Sequence, residues 1–464
     1  MTRNEAEVRT GLEAELGDLI ADAARSFNVP GISVALIFGD DQLIATTGVT
    51  SVENPLPVDG DTLFKIASIT KPVTGTALMR LAELGRLDFD APLRSYLPDF
   101  RLADEDVAAN VTMRHVVTHR VGLCSRVKDF GRGDDALARW TAHLADLPQR
   151  ARLGELFCYS WDFQLTGRVI EVLTGKPYEV AMKELVFEPL GLTRSCFFAT
   201  DAITYRVSAG HDVNEGRPQV VRPWPERRSG HPSGGMLSTA NDLMRFMRLH
   251  LGEDAAGGSG RLLSDESVAF MASAVSPDGA HGVTWWRHDL DGLLVIEHGG
   301  GYPGFLGHVV LVPARKFGIA VLTNITRSTY EHRVPEINTV SGKVVAWAFG
   351  AYLNLRVPPD KPLELSPARL SAYVGRYEGE TGEIDLTLGD GCLVATERPS
   401  DPAATASGPY RLAFYDIDKV FQLDGPAKDT RGQFLRDARG ELAWFRPYVS
   451  DIYRPANNET PRRN

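Results

Sequence analysis

Apolar side chains recur at two different periods along this chain, and the change of period separates predicted helices from predicted strands. In residues 5–28 leucine, isoleucine and alanine return every three or four positions, which indicates an amphipathic helix. The same period predicts helices at residues 73–84, 111–119, 163–173 and 240–251. The first half of the chain is therefore expected to be rich in helices that each bury one face.

Short apolar runs bounded by turn residues predict strands. In the first 324 residues these runs lie at 32–38, 43–49, 283–288, 293–298, 305–312 and 317–324. The turn Gly39-Asp40-Asp41 joins the first two of them into a hairpin. Residues 124–150 and 203–231 are polar or rich in proline and arginine, and we expect them to be surface loops.

A cluster of prolines in residues 357–367 marks a change in the pattern. The segments that follow are short strands separated by turn residues, at 373–377, 384–388, 392–397, 411–415, 420–423, 433–436 and 442–447. This spacing predicts a small antiparallel barrel or sandwich. We therefore divide the chain into a domain at 1–356, a linker at 357–367, a β-domain at 368–456 and a tail at 457–464.

Length and charge narrow the range of functions. A chain of 464 residues suits two or three domains, and its formal net charge of −10 argues against a nucleic acid or an anionic membrane as partner. Residues 1–28 show no apolar core of a secretory signal, and no run is long enough to span a membrane, so we expect a cytoplasmic protein. Four scattered cysteines suggest neither a disulfide framework nor a zinc site.

Ser68 and Lys71 are the first candidate catalytic residues. They stand three apart at the start of the helix predicted for residues 73–84, so that both side chains would share one face. A partly desolvated lysine can take the proton of a serine hydroxyl and make it a nucleophile. The alternative is that Ser68 only caps the helix and Lys71 is a solvated first-turn residue. A second pair with this spacing, Ser125 and Lys128, lies in a polar stretch without periodicity.

Two other patterns in the chain can be interpreted as binding motifs. His115 and His119 have the i, i+4 spacing of metal ligands, but no glutamate follows His115, no third ligand is apparent, and a metal is not expected. Residues 299–304 match G-x-G-x-x-G, yet a strand follows where a dinucleotide fold needs a helix. The glycines instead suggest close approach of the backbone to a ligand, with His298 facing the same space or buried in the core.

Three motifs now stand in order: Ser68-x-x-Lys71, Tyr159-Ser160-Trp161 and His298-Gly299-Gly300. Tyr159 alone could equally be a buried aromatic residue. The order resembles the class C β-lactamase and penicillin-binding-protein superfamily, whose motifs are S-x-x-K, Y-x-N and K-T-G or H-x-G. The resemblance implies an α+β fold, in which an antiparallel sheet is flanked by helices as an α/β sandwich, followed by a lipocalin-like β-barrel.

The resemblance also implies roles for individual residues. Ser68 would attack the carbonyl, Lys71 and Tyr159 would transfer protons, and the N–H groups of Ser68 and Gly301 would form the oxyanion hole. His298 would bind the substrate carboxylate or the tyrosine network and make activity pH-dependent. The expected substrate-binding residues are Trp161, Gly299, Gly300 and, from the barrel, Arg446. No metal or organic cofactor is implied.

Trp161 replaces the asparagine of Y-x-N, which argues for an aromatic substrate wall and against efficient β-lactam turnover. The layout looks like the stand-alone penicillin-binding-protein-type thioesterases, which release and cyclise nonribosomal peptides head to tail. A peptidyl substrate, delivered by a peptidyl carrier protein, is then the expected partner. The alternatives are a D-amino-acid peptidase, carboxypeptidase or esterase of the same family, and a binding protein without catalytic activity.

Overall fold

A computed structural model gives the fold of the chain. It describes residues 3–123, 128–224, 226–253, 261–326, 339–357, 361–401, 408–425, 428, 430–437, 439–447 and 452–456. One compact unit ends at Val357 and the other begins after it. Cys124 and Ser125, and with Ser125 the second serine–lysine pair, lie outside the described residues.

The first unit contains most of the helices and one large sheet. Its helices are α1 (Arg3–Ser26), α2 (Thr70–Glu83), α3 (Glu105–Asn110), α4 (Met113–Val117), α5 (Ala136–His143), α6 (Gln164–Thr174), α7 (Tyr178–Met182), α8 (Glu188–Leu190), α9 (Ala199–Ala202), α10 (His231–Gly234), α11 (Ala240–His250), α12 (Asp265–Ala272) and α13 (Val340–Ala348). Its strands are β1 (Gly31–Phe38), β2 (Asp41–Gly48), β3 (Phe64–Lys65), β4 (His211–Asn214), β5 (Arg217–Val220), β6 (Leu237–Ser238), β7 (Trp286–Leu290), β8 (Leu293–Tyr302), β9 (Phe305–Val312), β10 (Phe317–Thr323) and β11 (Ile325–Thr326).

The main sheet has six strands in the order β2-β1-β10-β9-β8-β7, all antiparallel. Side chains alternate between its two faces, as the two-residue repeat of a strand requires. On β1, Ala35 and Ile37 join the cluster that contains α2 and α11, while Val34 and Leu36 join the cluster of α1 and α13. The sheet is therefore covered by helices on both faces, and strand β8 brings His298 to the α2 face.

Helix α2 lies at the centre of the unit, since nearly all of its side chains are buried, including those of several threonines. The buried hydroxyls of Thr74 and Thr76 donate to the carbonyls of Thr70 and Pro72, four residues earlier, at 3.0 and 2.9 Å. Buried polar groups need such partners. These bonds allow a helix with many threonines to occupy the core beneath Ser68.

The structure departs from several sequence-based predictions. Residues 124–150, expected to be a loop, contain helix α5, and residues 203–231 contain the antiparallel pair β4 and β5. Helix α12 was not predicted from the sequence. Strand β8 runs on through the three glycines to Tyr302, beyond the predicted end at residue 298.

The second unit is a closed barrel that follows one short helix, α14 (Pro367–Leu370). Its strands are β12 (Gly375–Gly379), β13 (Gly382–Leu388), β14 (Leu393–Pro399), β15 (Tyr410–Asp416), β16 (Lys419–Gln422), β17 (Arg431–Arg436), β18 (Leu442–Arg446) and β19 (Tyr453–Pro455). Aromatic rings pack together in its core: the ring centre of Phe434 lies 4.4 Å from that of Phe445 and 4.7 Å from that of Tyr373. Strand spacing left a barrel or a sandwich open, and the structure has the barrel that the resemblance implied.

Candidate active site

Ser68 lies in a single 3-10 turn, Ala67–Ile69, between strand β3 and helix α2. Strand β3 pairs with β6, and the N–H of Ile66 donates to the carbonyl of Met236 at 3.1 Å. Ala67 follows with φ of +49°, a left-handed conformation that residues other than glycine rarely adopt. Such strain persists where surrounding contacts fix the backbone. The turn therefore holds Ser68 at the N-terminal end of α2.

Ser68 does not act as the helix cap that the sequence allowed. Helix α2 begins at Thr70, its N-cap is Ile69, and no side chain caps it. The Thr70 hydroxyl instead donates to the carbonyl of Ala67 at 2.6 Å, which closes the turn. This arrangement leaves the Ser68 hydroxyl available for Lys71.

The amine of Lys71 lies 3.2 Å from the Ser68 oxygen and donates to the carbonyl of Ser233 at 2.9 Å. The rings of Tyr159 and Phe163 enclose it, with their centres 4.5 and 5.4 Å from Nζ. The side chain is only 3% exposed, and this burial holds the pKa of Lys71 well below its usual range. A neutral amine in hydrogen-bond reach of a serine hydroxyl is a suitable general base.

Helix α10 supplies the carbonyl that binds Lys71, and a buried ion pair fixes this helix. His231 donates from Nδ1 to Glu179 over 2.6 Å, and Arg228 donates to the same carboxylate over 3.1 and 3.0 Å. Burial alone would raise the pKa of Glu179, but the hydrogen bonds from His231 and Arg228 lower it to about 2. The charged carboxylate therefore anchors the segment that ends in the Ser233 carbonyl.

Tyr159 lies just before the 3-10 turn Trp161–Phe163 that leads into α6. Its ring centre is 4.5 Å from that of His119 and 6.4 Å from that of His298. With Lys71 against one face of the same ring, Tyr159 lies within the group of residues predicted to transfer protons. Trp161 is half-buried and lies against Gly230, on the segment that carries Arg228.

The glycines of β8 pack directly against the Ser68 turn. A β-carbon on Gly300 would come within 2.2 Å of the Ile66 carbonyl oxygen and 3.2 Å of the Ser68 nitrogen. Gly301 is in register with Leu306, one pair before the Tyr302–Phe305 pair that closes the hairpin. The closing pair of a two-residue hairpin is hydrogen-bonded, and hydrogen-bonded and non-hydrogen-bonded pairs alternate along an antiparallel ladder. Gly301 and Leu306 therefore form a non-hydrogen-bonded pair, and the Gly301 N–H points away from β9. This orientation suits an oxyanion donor next to Ser68.

His298 is 1% exposed, and its Nδ1 lies 2.7 Å from the carbonyl of Gly299. Burial, with the neighbouring Lys71 as a further cause, holds the pKa of His298 well below its usual value. The expectation that His298 titrates near its reference pKa is therefore corrected, because burial disfavours the charged form of an imidazole. As a neutral ring it can donate or accept a hydrogen bond, but it supplies no positive charge to a substrate carboxylate.

Arg446 lies on strand β18 of the barrel, in register with Gln433, and donates to the Gln433 side chain at 2.8 Å. Its neighbour Phe445 is fully buried in the barrel core, so alternation directs Arg446 to the outside of the barrel. The suggested contact between Arg446 and substrate remains a prediction.

The family comparison agrees with this arrangement of residues. The protein-family model described as Beta-lactamase matches residues 16–339. The chain belongs to the beta-lactamase family. Penicillin-binding protein 4 of Amycolatopsis lactamdurans is 31% identical over 380 residues, which cover 78% of this chain and 96% of that protein. Esterase EstB of Burkholderia gladioli is 31% identical over 279 residues, 51% of this chain and 69% of the esterase.

Solved structures extend the likeness beyond the family match. The crystal structure of SurE superposes with a TM-score of 0.73 at 23% identity, covering 96% of this chain and all (100%) of SurE. A second structure, SurE with D-Leu, gives a TM-score of 0.72 at 22% identity and covers 96% of this chain and 99% of SurE.

The predicted fold, an antiparallel sheet with helices followed by a barrel, is confirmed. As a beta-lactamase family member, the chain is a serine hydrolase or acyltransferase.

The structure brings together five of the residues predicted for the site. Ser68, Lys71, Tyr159, His298 and Gly300 lie near one another, as the distances above show, while their catalytic roles remain predictions. Trp161 lies against Gly230. No group of three or more side chains that could hold a metal ion occurs among the described residues, which include the histidines at 115 and 119. Within the same residues, no helix is long and apolar enough to cross a membrane.

Sequence reasoning missed three residues that support the site without taking part in the proposed chemistry. The Ser233 carbonyl, the strained Ala67 and the Glu179 anchor carry no catalytic side-chain motif. Only the small-residue run Gly234-Gly235 after Ser233 hinted that this segment passes close to another part of the chain. In the structure, Gly234 lies against Ala67, and a β-carbon on this glycine would come within 3.7 Å of the Ala67 carbonyl carbon.

Proposed function

We propose that the chain is a serine acyltransferase that releases a nonribosomal peptide from its thioester by head-to-tail macrocyclisation. The observation that supports the chemistry is the buried amine of Lys71, which lies 3.2 Å from the Ser68 hydroxyl and whose pKa burial holds well below its usual range. Acyl transfer through a serine ester requires a base of this kind together with oxyanion donors, here the N–H groups of Ser68 and Gly301.

In the first half-reaction Lys71 accepts the Ser68 proton while Ser68 Oγ attacks the thioester carbonyl. The C–S bond then breaks, and the departing thiolate takes a proton from Lys71 or Tyr159, which leaves a peptidyl ester on Ser68. In the second half-reaction the amine at the start of the same peptide attacks this ester. Its proton passes to the base, the C–O bond breaks, and Ser68 regains its hydrogen as the cyclic amide is released.

Two features favour an amine over water as the acceptor. Trp161 puts an aromatic ring where the motif usually has an amide, and the rings of Tyr159 and Phe163 enclose Lys71. Apolar walls exclude water and hold a chain in a folded conformation. SurE, which shares this fold over both units, has been crystallised with D-Leu, and this supports a D-residue at the acylating position. A peptidyl carrier protein is the proposed donor of the substrate.

The second candidate is a hydrolase of the same family, a D-amino-acid peptidase, carboxypeptidase or esterase, in which water takes the place of the amine. The likeness to Esterase EstB favours this alternative. Both reactions share the acyl-enzyme and differ in the product alone.

Mass spectrometry of the products distinguishes them. The substrate is a short peptidyl thioester with a free amino terminus and a D-residue at its thioester end, and the control is Ser68→Ala. We expect a Ser68-dependent product that is lighter than the linear acid by one water. Linear acid as the sole product would overturn the cyclase proposal in favour of the hydrolase, and unchanged turnover by Ser68→Ala would overturn both.

A further inference from the structure

Lys65 is a second buried lysine, three residues before the nucleophile, that the reaction described above does not use. Its side chain is 2% exposed, although it lies on the short strand β3 that leads into the Ser68 turn. Within the described residues, it makes neither a hydrogen bond nor an ion pair. A buried lysine without a partner is costly, so its presence calls for an explanation.

Two aromatic residues surround the ammonium group. The ring centre of Tyr302 lies 4.6 Å from Lys65 Nζ, and that of Trp224 lies 5.3 Å from it. Ring faces attract a cation, but they leave its three N–H donors unsatisfied. The indole nitrogen of Trp224 is likewise a buried donor without a hydrogen-bond acceptor in the described structure. The ammonium group of Lys65 and the indole N–H of Trp224 are therefore two donors of one cluster, since Nζ lies over the Trp224 ring.

The position of this pair relates it to the reacting carbonyl. Tyr302 directly follows Gly301, the candidate oxyanion donor, and Lys65 directly precedes Ile66, whose carbonyl lies against Gly300. The groups around Lys71 are different ones, Tyr159 and Phe163. Lys65 and Tyr302 are thus chain neighbours of the residues on the oxyanion side of Ser68.

The charges around Lys65 leave its ammonium group without a direct ion pair in the described residues. Glu226, whose side chain is 12% exposed, raises the pKa of Lys65 from a distance, but forms no ion pair with it; its 3.7 Å contact is with the exposed guanidinium of Arg132. The thiol of Cys196 is buried, which raises its pKa to about 12, so it stays neutral. His231 is buried as well, and burial lowers its pKa. Burial of Lys65 lowers its pKa to about 8, which leaves it mostly charged at neutral pH.

We propose that Lys65 and Trp224 form a carboxylate-binding subsite, which selects acyl donors that carry a free carboxylate close to the reacting carbonyl. One carboxylate oxygen would accept from Lys65 Nζ and the other from the indole N–H of Trp224. Burial lowers the pKa of both Lys71 and His298 well below the usual values, whereas Lys65 stays mostly charged at neutral pH, so Lys65 can supply a positive charge beside the site. This inference deepens the proposed function and rests on it for the identity of the acyl donor.

The experiment compares two thioesters that differ only in the acylating residue, D-Glu or D-Gln, at pH 7. In the wild-type protein we expect kcat/KM for D-Glu to exceed that for D-Gln roughly 10- to 100-fold, the usual value of a charge-assisted hydrogen bond. Lys65→Met should abolish the preference, and Trp224→Phe, which keeps the ring and removes the donor, should reduce it severalfold. Lys343→Met is the matched control, because Lys343 Nζ also lies over a ring, 4.8 Å from the centre of Phe27, on the other face of the sheet.

The preference for the D-Glu thioester over the D-Gln thioester should also decline above pH 8, because Lys65 loses its proton there. Glu226→Gln should leave this preference intact. Equal turnover of the two thioesters by the wild-type protein overturns the subsite, as does a preference that survives in Lys65→Met. If Lys65→Met does not fold, the Trp224→Phe result and the pH dependence decide.

Binding to the Ser68→Ala protein separates this subsite from the proposed function. Calorimetric titration compares N-acetyl-D-glutamic acid α-amide with N-acetyl-D-glutamine amide, neither of which needs to react. Tighter binding of the acid, lost with Lys65→Met in the same background, supports the subsite even if no thioester is cyclised. Equal binding overturns the subsite and leaves the proposed acyl transfer untouched.

Discussion

Gly300 lies so close to Ile66 that a β-carbon on the glycine would come within 2.2 Å of the Ile66 carbonyl oxygen. That oxygen belongs to the backbone of the strand that leads to Ser68, so it cannot move as a flexible side chain would. The contact sets the distance between strand β8, with Gly301 beside it, and the nucleophile turn. It therefore fixes the size of the candidate oxyanion hole.

Gly300→Ala should reduce acylation of Ser68 by at least about 100-fold, the order of magnitude expected for the loss of one oxyanion donor. Forced overpacking should also lower the free energy of unfolding by about 1–3 kcal/mol. Stopped-flow acylation with an activated ester and thermal unfolding measure the two effects.

The control is Gly307→Ala, in the residue that pairs with Gly300 across the strands. A β-carbon there would meet the side-chain ends of Ile69 and Leu322, at 2.9 and 3.2 Å. Because these ends can rotate, activity should fall far less. Similar losses in both variants would show that the Gly300 contact has no special bearing on the site.

The pH profile of acylation should show one acidic limb that belongs to Lys71, with no second limb near pH 6.5. The base works when neutral, so the rate falls as pH drops below the lowered pKa of Lys71 and protonates it. His298 is neutral on both sides of pH 6.5, since burial lowers its pKa. Its replacement by glutamine should change the rate without moving the limb, and a limb that shifts would show that His298 titrates.

Glu179 should make the protein sensitive to acid. Its pKa is lowered to about 2 in the folded state, against about 4.3 in an unfolded chain. The stability that it contributes is therefore present above about pH 5 and is lost as pH falls toward 2. Chemical unfolding at pH 7 and pH 3 should show this loss in the wild-type protein.

Glu179→Gln should lower the free energy of unfolding at pH 7 by about 1.5–3 kcal/mol, because His231 and Arg228 lose their hydrogen bonds to a charged carboxylate, while Arg228 keeps its ion pair with Asp134. It should weaken the acid-dependent loss as well. The exposed pair Lys176–Glu184 is the matched control, and Glu184→Gln should cost less than about 1 kcal/mol. An equal effect of both substitutions would contradict the anchoring role of Glu179.

Trp161→Asn should raise the share of linear acid severalfold over that of cyclic product, since it replaces an apolar wall by an amide that binds water. Trp161→Phe keeps an aromatic wall and should preserve the product ratio. Both ratios are measured by mass spectrometry with the peptidyl thioester described above. An unchanged ratio in Trp161→Asn would show that water exclusion lies elsewhere.

The sequence was sufficient for those parts of the site that depend on local spacing. Ser68 and Lys71 are three residues apart in one chain segment, and the structure places their functional atoms in contact. The helical and two-residue periods likewise predicted α1, α2, α11 and the main strands, because an element that buries one face has apolar residues at its own structural period. The regular spacing of the short strands likewise predicted a small antiparallel β-domain, although it left a barrel and a sandwich open.

Features that depend on tertiary contacts were not predictable. Glycine disfavours strands in general, so the sequence suggested an end of β8 near residue 298, whereas close packing on the Ser68 turn requires glycine there. The pKa of His298 depends on burial beside Lys71, which lies 227 positions earlier in the chain. Helix α5 lies in a charged segment and buries Leu137 and Trp140, too few apolar residues for a clear period.

The packed rings of Tyr373, Phe434 and Phe445 have a consequence for how the second unit can evolve. In the part of the barrel that the structure describes, the core is occupied by the chain's own aromatic and aliphatic side chains, in contrast to a barrel that works as a container. We therefore expect this unit to recognise other molecules through its outer strand faces and loops, where Arg446 points. New recognition can then arise by exchange of outward-facing residues, strand by strand, without repacking the core that keeps the barrel closed.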